Sequence, residues 1–547
     1  MARASGGTGR WKTSGPYRRG VLRLVMALLP CTLAACAAAP PLHAPKPPSQ
    51  GIMPDPDTRI GRHIGPRQAE QPGRSGFVLL SSGMDAFVAR MVLAGTADRT
   101  LDVQTYILRE DDSGRLLLHA FMEAADRGVR VRLLLDDQNL AGLDETLARL
   151  DAHPNVAVRL FNPYAGRSFW ERMGALVTDF SRLSRRMHNK FFAADNWLAI
   201  VGGRNIGDEY FEARPELDFL DMDVLTAGPV VQNLTSLSFD AYWNSRWAVP
   251  LAAFGLAAPA PAAIDQWRSE LADHAATMRD SAYAAALRRT PLITQIREGD
   301  LAMAWGEAAV VVDDPAKIDA AQSGPRPLPQ LFEQLVTEMR GAHQELLLVS
   351  PYFVPGEQGV RFLGELTARG VTVRVLTNSL STTDSFAAFA GYHAYRRALI
   401  KAGVELYELK SSAASARRLR DSVGRGSSQA SLHAKTFIMD RRRMVVGSLN
   451  LDPRSVWINT ETGLVIDSPA LSEVVARMFE EAAAPAASYR VLLKAPEDGT
   501  DGDYVSRLVW RTEENGRMVD HDHEPDVSIP RKLAVILLRM LPIENQL

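Results

Sequence analysis

Met187-His188-Asn189-Lys190-Phe191-Phe192-Ala193-Ala194-Asp195-Asn196-Trp197-Leu198-Ala199-Ile200-Val201-Gly202-Gly203-Arg204-Asn205 has a counterpart in the second half of the chain, Leu432-His433-Ala434-Lys435-Thr436-Phe437-Ile438-Met439-Asp440-Arg441-Arg442-Arg443-Met444-Val445-Val446-Gly447-Ser448-Leu449-Asn450. Both follow one rule: His, any residue, Lys, four residues, Asp, six residues, Gly, a small residue, any residue, Asn. A lone His or Lys near a strand is usually a satisfied or solvated group. The same spacing met twice reverses that expectation and marks an internal duplication.

The duplication extends outward. LDVQTYIL at 101–108, LLLHAFMEAADRG at 116–128 and VRVRLLL at 129–135 are echoed by LLLVSPYFV at 346–354, VRFLGELTARG at 360–370 and VTVRVL at 371–376. Apolar runs of strand length alternating with amphipathic helices predict βαβ units, with helices on the faces of a sheet. The expected fold is therefore α/β: two similar α/β/α sandwich domains with mixed, largely parallel sheets, related by a pseudo-two-fold. Tyr106 and Tyr352 fall at the same place in the two units, where pocket lining and aromatic packing are competing roles.

In an extended segment residues i and i+2 share a face, so His188 projects with Lys190 and His433 with Lys435. Asp195-Asn196 and Asp440-Arg441 read as turns. Gly202-Gly203 and Gly447-Ser448 permit close backbone approach, and Asn205 and Asn450 follow. Each half thus offers one imidazole, one ammonium and one carboxamide, and two facing halves make one pocket. Two imidazoles suit a phosphodiester, one as nucleophile and the other as proton donor to the leaving alcohol, with the lysines and carboxamides around the equatorial oxygens. His119, His153, His343 and His393 have no such repetition and read as structural.

These motifs resemble the HKD motifs of the phospholipase D superfamily, over about residues 78 to 485. The lipoprotein-like start, the length and the ending Leu541-Pro542-Ile543-Glu544 are most similar to its cardiolipin synthase C branch. The resemblance implies a ping-pong route through a phosphohistidine, with His188 as nucleophile and His433 as acid and then base, although the near symmetry leaves the reverse assignment open. It implies structural roles for Asp195 and Asp440, and a catalytic carboxylate at Glu461. The first-half counterpart is Asp221, with Asp223 the competing choice. No metal or other cofactor is implied.

Lys and Arg number 62 against 64 Asp and Glu, a formal −2, which argues against a nucleic-acid-coating protein. Only Cys31 and Cys36 are present, excluding a disulfide scaffold or a Cys-rich metal site. The six basic residues before Cys36, with no acidic one and an apolar run from Leu24 to Ala35 interrupted from outside only by Arg23, read as a secretory signal. Leu33-Ala34-Ala35-Cys36 resembles a bacterial lipobox, which implies lipidation of Cys36. An uncleaved anchor or ordinary signal peptide is the competing reading.

The expected organisation is a signal segment 1–35, a Pro-rich tether 36–75, a first domain 76–260, a connector 261–325, a second domain 326–490 and a tail 491–547. Within the tail, residues 531–541 suit either a bilayer interface or packing on the chain's own domain. Basic and aromatic residues from Arg167 to Arg186 and from Lys410 to Arg425 suit anionic headgroups, with ordinary solvated loops as the alternative. The expected protein is a cardiolipin synthase-like phosphatidyltransferase at the bacterial cell envelope, a membrane-anchored lipoprotein facing the periplasm. Its expected partners are the membrane surface and its phospholipids, phosphatidylglycerol first and phosphatidylethanolamine second, with room for a helper protein and none needed for nucleic acid. A hydrolytic phospholipase D, an envelope nuclease and a non-catalytic lipid-binding scaffold are the alternatives; the two complete motifs argue against the last.

Overall fold

A computed structural model describes residues 40–214, 218–298, 301–319, 328–411, 430–494 and 507–539. The signal segment, Cys36, Arg417 to Arg425 and Leu541 to Glu544 lie outside the described residues. The first-half strands are β1 (Ser75–Leu80), β2 (Thr100–Thr105), β3 (Arg130–Asp136), β4 (Val156–Phe161), β5 (Phe191–Ala194), β6 (Leu198–Gly202), β7 (Asp218–Leu220), β8 (Asp223–Ala227) and β9 (Ala248–Pro250). The second-half strands are β10 (Ala304–Val312), β11 (Glu345–Val349), β12 (Thr372–Asn378), β13 (Glu405–Leu409), β14 (Ala430–Leu432), β15 (Thr436–Met439), β16 (Arg443–Gly447), β17 (Thr462–Asp467), β18 (Ser488–Lys494), β19 (Arg507–Glu514) and β20 (Arg517–His521).

Strands of the first half run in the spatial order β1-β8-β6-β5-β2-β3-β4-β9. The second half repeats it as β10-β17-β16-β15-β11-β12-β13-β18. Within each series, β2-β3-β4 and β11-β12-β13 pair in parallel and the flanking strands antiparallel, giving a mixed sheet. The parallel strands are apolar throughout because both faces are covered: β3 is buried from Val131 to Asp136. The helices Asp112–Asp126 and Gly356–Ala368 supply the crossovers. Gly128 and Gly370, both at φ near +90°, turn each chain back into its next strand where an L side chain would be strained.

Two stretches differ in use from their sequence reading. The supposed connector contains β10, which occupies in the second half the place β1 has in the first, and β1 and β10 also pair with each other, joining both sheets. The supposed tail adds β19 and β20 beyond β18. A third difference concerns the tether. Its Pro-rich part is docked from Lys46 on: Lys46 donates to the Ser245 and Ala248 carbonyls, Gly51 N–H to Asp240, and Asn196 and Trp197 to the Ile52 and Asp55 carbonyls. Buried apolar side chains form an outer core on each half and a central one shared between them, where Phe191, Val201 and Val224 join Leu347, Ile438 and Phe479.

Candidate active site

Each hairpin of the repeated motif turns through left-handed residues, Asp195 and Asn196 in one half and Asp440 and Arg441 in the other. The carboxylates explain the conformation. Asp195 accepts the backbone N–H groups of Asp98, Arg99 and Thr100, and Asp440 those of His343, Gln344 and Glu345. Both acids therefore pin the start of the neighbouring central strand, and their hydrogen bonds go to backbone N–H groups, not to the imidazoles of His188 and His433.

The His-x-Lys triplets sit just ahead of β5 and β15 rather than within them. The reason is that the chain there leaves its own sheet to bond the opposite half. His188 N–H donates to the Thr460 carbonyl and Thr460 N–H to that of Arg186. Symmetrically, His433 and Ala434 N–H donate to the Leu220 carbonyl, and β14 pairs with β7. The residue after each anchoring carbonyl is an acid. Glu461 Oε2 lies 2.9 Å from His188 Nδ1, and Asp221 Oδ2 lies 2.5 Å from His433 Nδ1. Both histidines thus take their carboxylate from the other half. Asp223, the competing choice, is instead ion-paired with Arg90 at 2.9 Å.

With Nδ1 engaged, Nε2 on the far edge of each ring is the atom left for chemistry. Both imidazoles and both motif lysines are buried. Burial pushes His188 down to about 4, with Lys190 and Lys435 acting in the same sense and Glu461 against it. His433 is lowered, first by burial and then by Lys435, against Asp221. Burial also lowers both lysines, Lys190 strongly, with the carboxylates opposing. Glu461 and Asp221 would rise on burial alone, but the facing imidazole and the lysines hold both below the usual carboxylate range. That is the pattern of a carboxylate fixing a His tautomer.

The close approaches behind the small motif residues are visible. A Cβ on Gly203 would lie 2.2 Å from Asp221 Oδ1, one on Gly202 2.1 Å from Asp223 Oδ1, and one on Gly447 2.3 Å from the Thr462 carbonyl. Ser448, in the place of Gly203, does more than fit: its hydroxyl donates to Glu461 and its carbonyl lies 3.1 Å from His188 Nδ1. Lys190 and Lys435 each donate to the backbone carbonyl of their own motif His.

Asn205 and Asn450 are less alike than their spacing implies. Asn205 donates to the Tyr210 hydroxyl and accepts from Ile107 N–H, whereas the buried Asn450 Oδ1 has no partner among the described residues. Tyr210 and Phe219, missed in the sequence, pack on the His433 ring at centroid distances of 5.5 and 5.0 Å. A signal for Tyr210 exists: it follows Asn205 by the offset at which Ser455, a partner of Asn450 N–H, follows Asn450. Tyr106 stands edge-on to His188 at 5.3 Å, while Tyr352 donates to Asp384.

The arginines before the first motif are taken up inside the protein. Arg167 and Arg172 pair with Asp137, Arg182 with Asp179 and Arg186 with Asp136. That stretch exposes large apolar side chains, among them Phe169 and Trp170, beside the polar Ser168, Glu171, Thr178 and Ser181. Beside Asp452, two residues past Asn450, lies a cavity of about 280 Å³ lined by Phe332, Phe353, Phe362, Leu363, Val456 and Trp457. No helix among the described residues is long and apolar enough to cross a membrane, and no group of three or more His, Cys, Asp or Glu is placed to hold a metal ion.

The family model described as cardiolipin synthase, PLD-like domain, matches residues 93–243 and 335–483, one motif in each. Cardiolipin synthase C of Escherichia coli (strain K12) is 39% identical over 493 residues, covering 89% of this chain and 99% of that protein. Cardiolipin synthase B of the same strain is 23% identical over 71% of this chain and 75% of its own length. Among solved structures, phosphatidylserine synthase of Haemophilus influenzae Rd KW20 superposes with a TM-score of 0.54 at 12% identity, covering 90% of this chain and 100% of its own, a likeness of fold.

Proposed function

We propose a specific reaction for this chain, which belongs to the family of cardiolipin synthases with phospholipase D-like domains and is a phosphatidyltransferase: it moves a phosphatidyl group from one membrane phospholipid onto the free primary hydroxyl of phosphatidylglycerol. The observation that carries the reading is the crossed pair of imidazole–carboxylate contacts, Glu461 to His188 and Asp221 to His433.

His188 Nε2, neutral because burial holds its pKa near 4, attacks the donor phosphorus. As the N–P bond forms, the bond to the headgroup oxygen breaks and His433 gives that oxygen a proton, its protonated form being the one that the Asp221 contact favours against burial. Neutral His433 then takes the proton of the incoming hydroxyl, whose oxygen attacks phosphorus while the N–P bond breaks and its pair returns to His188. Lys190 and Lys435 stabilise the charge gathering on the equatorial oxygens. The tautomer needed at both rings is the one their Nδ1 partners impose.

Lipid is favoured as substrate by the apolar cavity beside Leu451 and Asp452, which suits a stretch of acyl chain, and by the internal pairing of the arginines that a polyanion would otherwise meet. Lipidation at Cys36, which would hold the protein on a membrane facing the periplasm, belongs to the same proposal. The test is purified protein with phosphatidylglycerol, alone and with phosphatidylethanolamine. A diphosphatidyl product is expected, and phosphatidic acid alone would replace transfer by hydrolysis.

A further inference from the structure

We infer that the helices Phe169–Thr178 and Ile529–Arg539 form a two-point surface that docks the mouth of the active site onto a phospholipid bilayer. This rests on the phosphatidyltransferase reading above and adds how a site of that kind meets its substrate.

The first helix begins at Ser168, whose capping box with Glu171 fixes its start. Phe169, Trp170, Met173 and Val177, followed by Phe180, are exposed along one side, Trp170 at 80%. Its other side carries Arg172, buried on Asp137. The second helix turns Val535 inward, at 4% exposed, and leaves Ile529, Leu533, Ile536 and Leu537 outward. Single exposed apolar residues are ordinary, but stripes of four at helical spacing mark an interaction face. This helix holds Arg531, Lys532 and Arg539 and no acidic residue, the composition that suits anionic headgroups.

Placement is the second argument. Asp137, which holds the first helix through Arg167 and Arg172, directly follows β3, and the Leu380 and Ser381 carbonyls, which hold Arg531 of the second, come two and three residues after β12. β3 and β12 are equivalent strands. Their last residues also lead into the catalytic triplets: Asp136 accepts Met187 N–H, and Asn378 exchanges hydrogen bonds with Leu432. The two stripe-bearing helices are therefore held by corresponding loops at the site-bearing end of each half. The N-terminal segment approaches the same edge, since Lys46 is bound at Ala248, which pairs with Phe161 at the end of β4. The lipid proposed at Cys36 would meet the same bilayer surface as both stripes.

Full-length Phe169→Ser/Trp170→Ser and Leu533→Ser/Leu537→Ser proteins test this, once their thermal midpoints are shown to match the parent. Turnover is compared on vesicles of phosphatidylglycerol and phosphatidylethanolamine and on dihexanoyl phosphatidylglycerol kept monomeric. Each pair should lose about tenfold or more on vesicles, the effect of removing two apolar anchors, with monomeric turnover unchanged. Quenching by brominated lipid should include a component that Trp170→Phe removes. Unchanged vesicle turnover in either pair, an equal fall on both substrates, or loss of a dimer without loss of Trp170 quenching would overturn the inference. If the parent makes no diphosphatidyl product but Trp170 is still quenched, the docking surface stands and the transfer reading falls.

Discussion

Glu461 lies 2.9 Å from Nδ1 of His188, although 273 residues and the boundary between the halves separate them. The acid holds the ring so that Nε2 presents its lone pair. In Glu461→Gln the amide can present its NH₂ and select the wrong tautomer. Steady-state transfer should show kcat down roughly a hundredfold or more with KM little changed. A large rise in KM with kcat intact would place Glu461 in binding instead.

The division of labour between the rings is open to trapping. With donor lipid labelled in the phosphatidyl group, acid-stable carry-over aside, a base-stable protein adduct should form on His188 and be absent in His188→Ala. His433→Ala should lose turnover yet retain slow labelling, because it lacks only the proton donor. Label on His433 in the parent would reverse the roles.

Stability should carry the mark of His188. Its folded pKa is near 4 and the ring is neutral through burial, while the unfolded ring titrates near 6.5, so between those values the unfolded chain binds the extra proton. The contribution is therefore complete above pH 6.5 and is lost as pH falls to about 4, by roughly 3 kcal/mol. Asp136, Asp313 and Asp452, pushed by burial up to about 6, act in the opposite sense over an overlapping range. The measurement is consequently a difference: denaturant unfolding of the parent and His188→Gln at pH 7 and pH 4.5. The parent should lose more over this interval, and parallel pH profiles would refute the assignment.

Asp195→Ala should separate folding from chemistry. It strands three N–H groups at the entry to β2 and is expected to cost about 2–4 kcal/mol. Activity per folded molecule should stay within a few-fold of the parent, measured on protein verified by circular dichroism at low temperature. A hundredfold loss at full folding would give Asp195 a part in the reaction.

Gly203→Ala places its methyl 2.2 Å from the Asp221 carboxylate. The expected result is about 1–3 kcal/mol of destabilisation and a sharp fall in kcat, because the acid cannot both move and keep its contact with His433. Ser448→Ala in the equivalent position should fold and lose less, since it removes the hydroxyl's bonds to Glu461 and from Thr462 N–H but pushes no atom into the acid. Equal behaviour of the two variants would show that the position is tolerant.

Duplication made the central strands, the crossovers, the turns and the two triplets legible from sequence, because spacing met twice filters out coincidence. Asp221 is the first choice there and Asp223 its competitor, because two residues apart on an extended chain they share a face; the fold decides between them, bringing Asp221 to His433 of the opposite half and Asp223 to Arg90 of its own. The same limit hid Tyr210 and Phe219, whose neighbour His433 is more than two hundred residues away. β10 reads as a short apolar run of either secondary structure, and its role comes from two partners distant in sequence. Arginines at 167, 172, 182 and 186 read as a basic surface because their acids lie on other elements or are masked by spacing; pairing cannot be seen in composition.

The ladder between β1 and β10, with Ser75 opposite Gly306 and Phe77 opposite Ala304, also governs movement. The halves are stitched edge to edge behind the cleft, so they cannot gape like jaws without tearing backbone hydrogen bonds. Traffic through the pocket must then be handled by side chains and rim loops, and the proposed diphosphatidyl product, with its four acyl chains, would leave by sliding sideways instead of being released into an opened mouth.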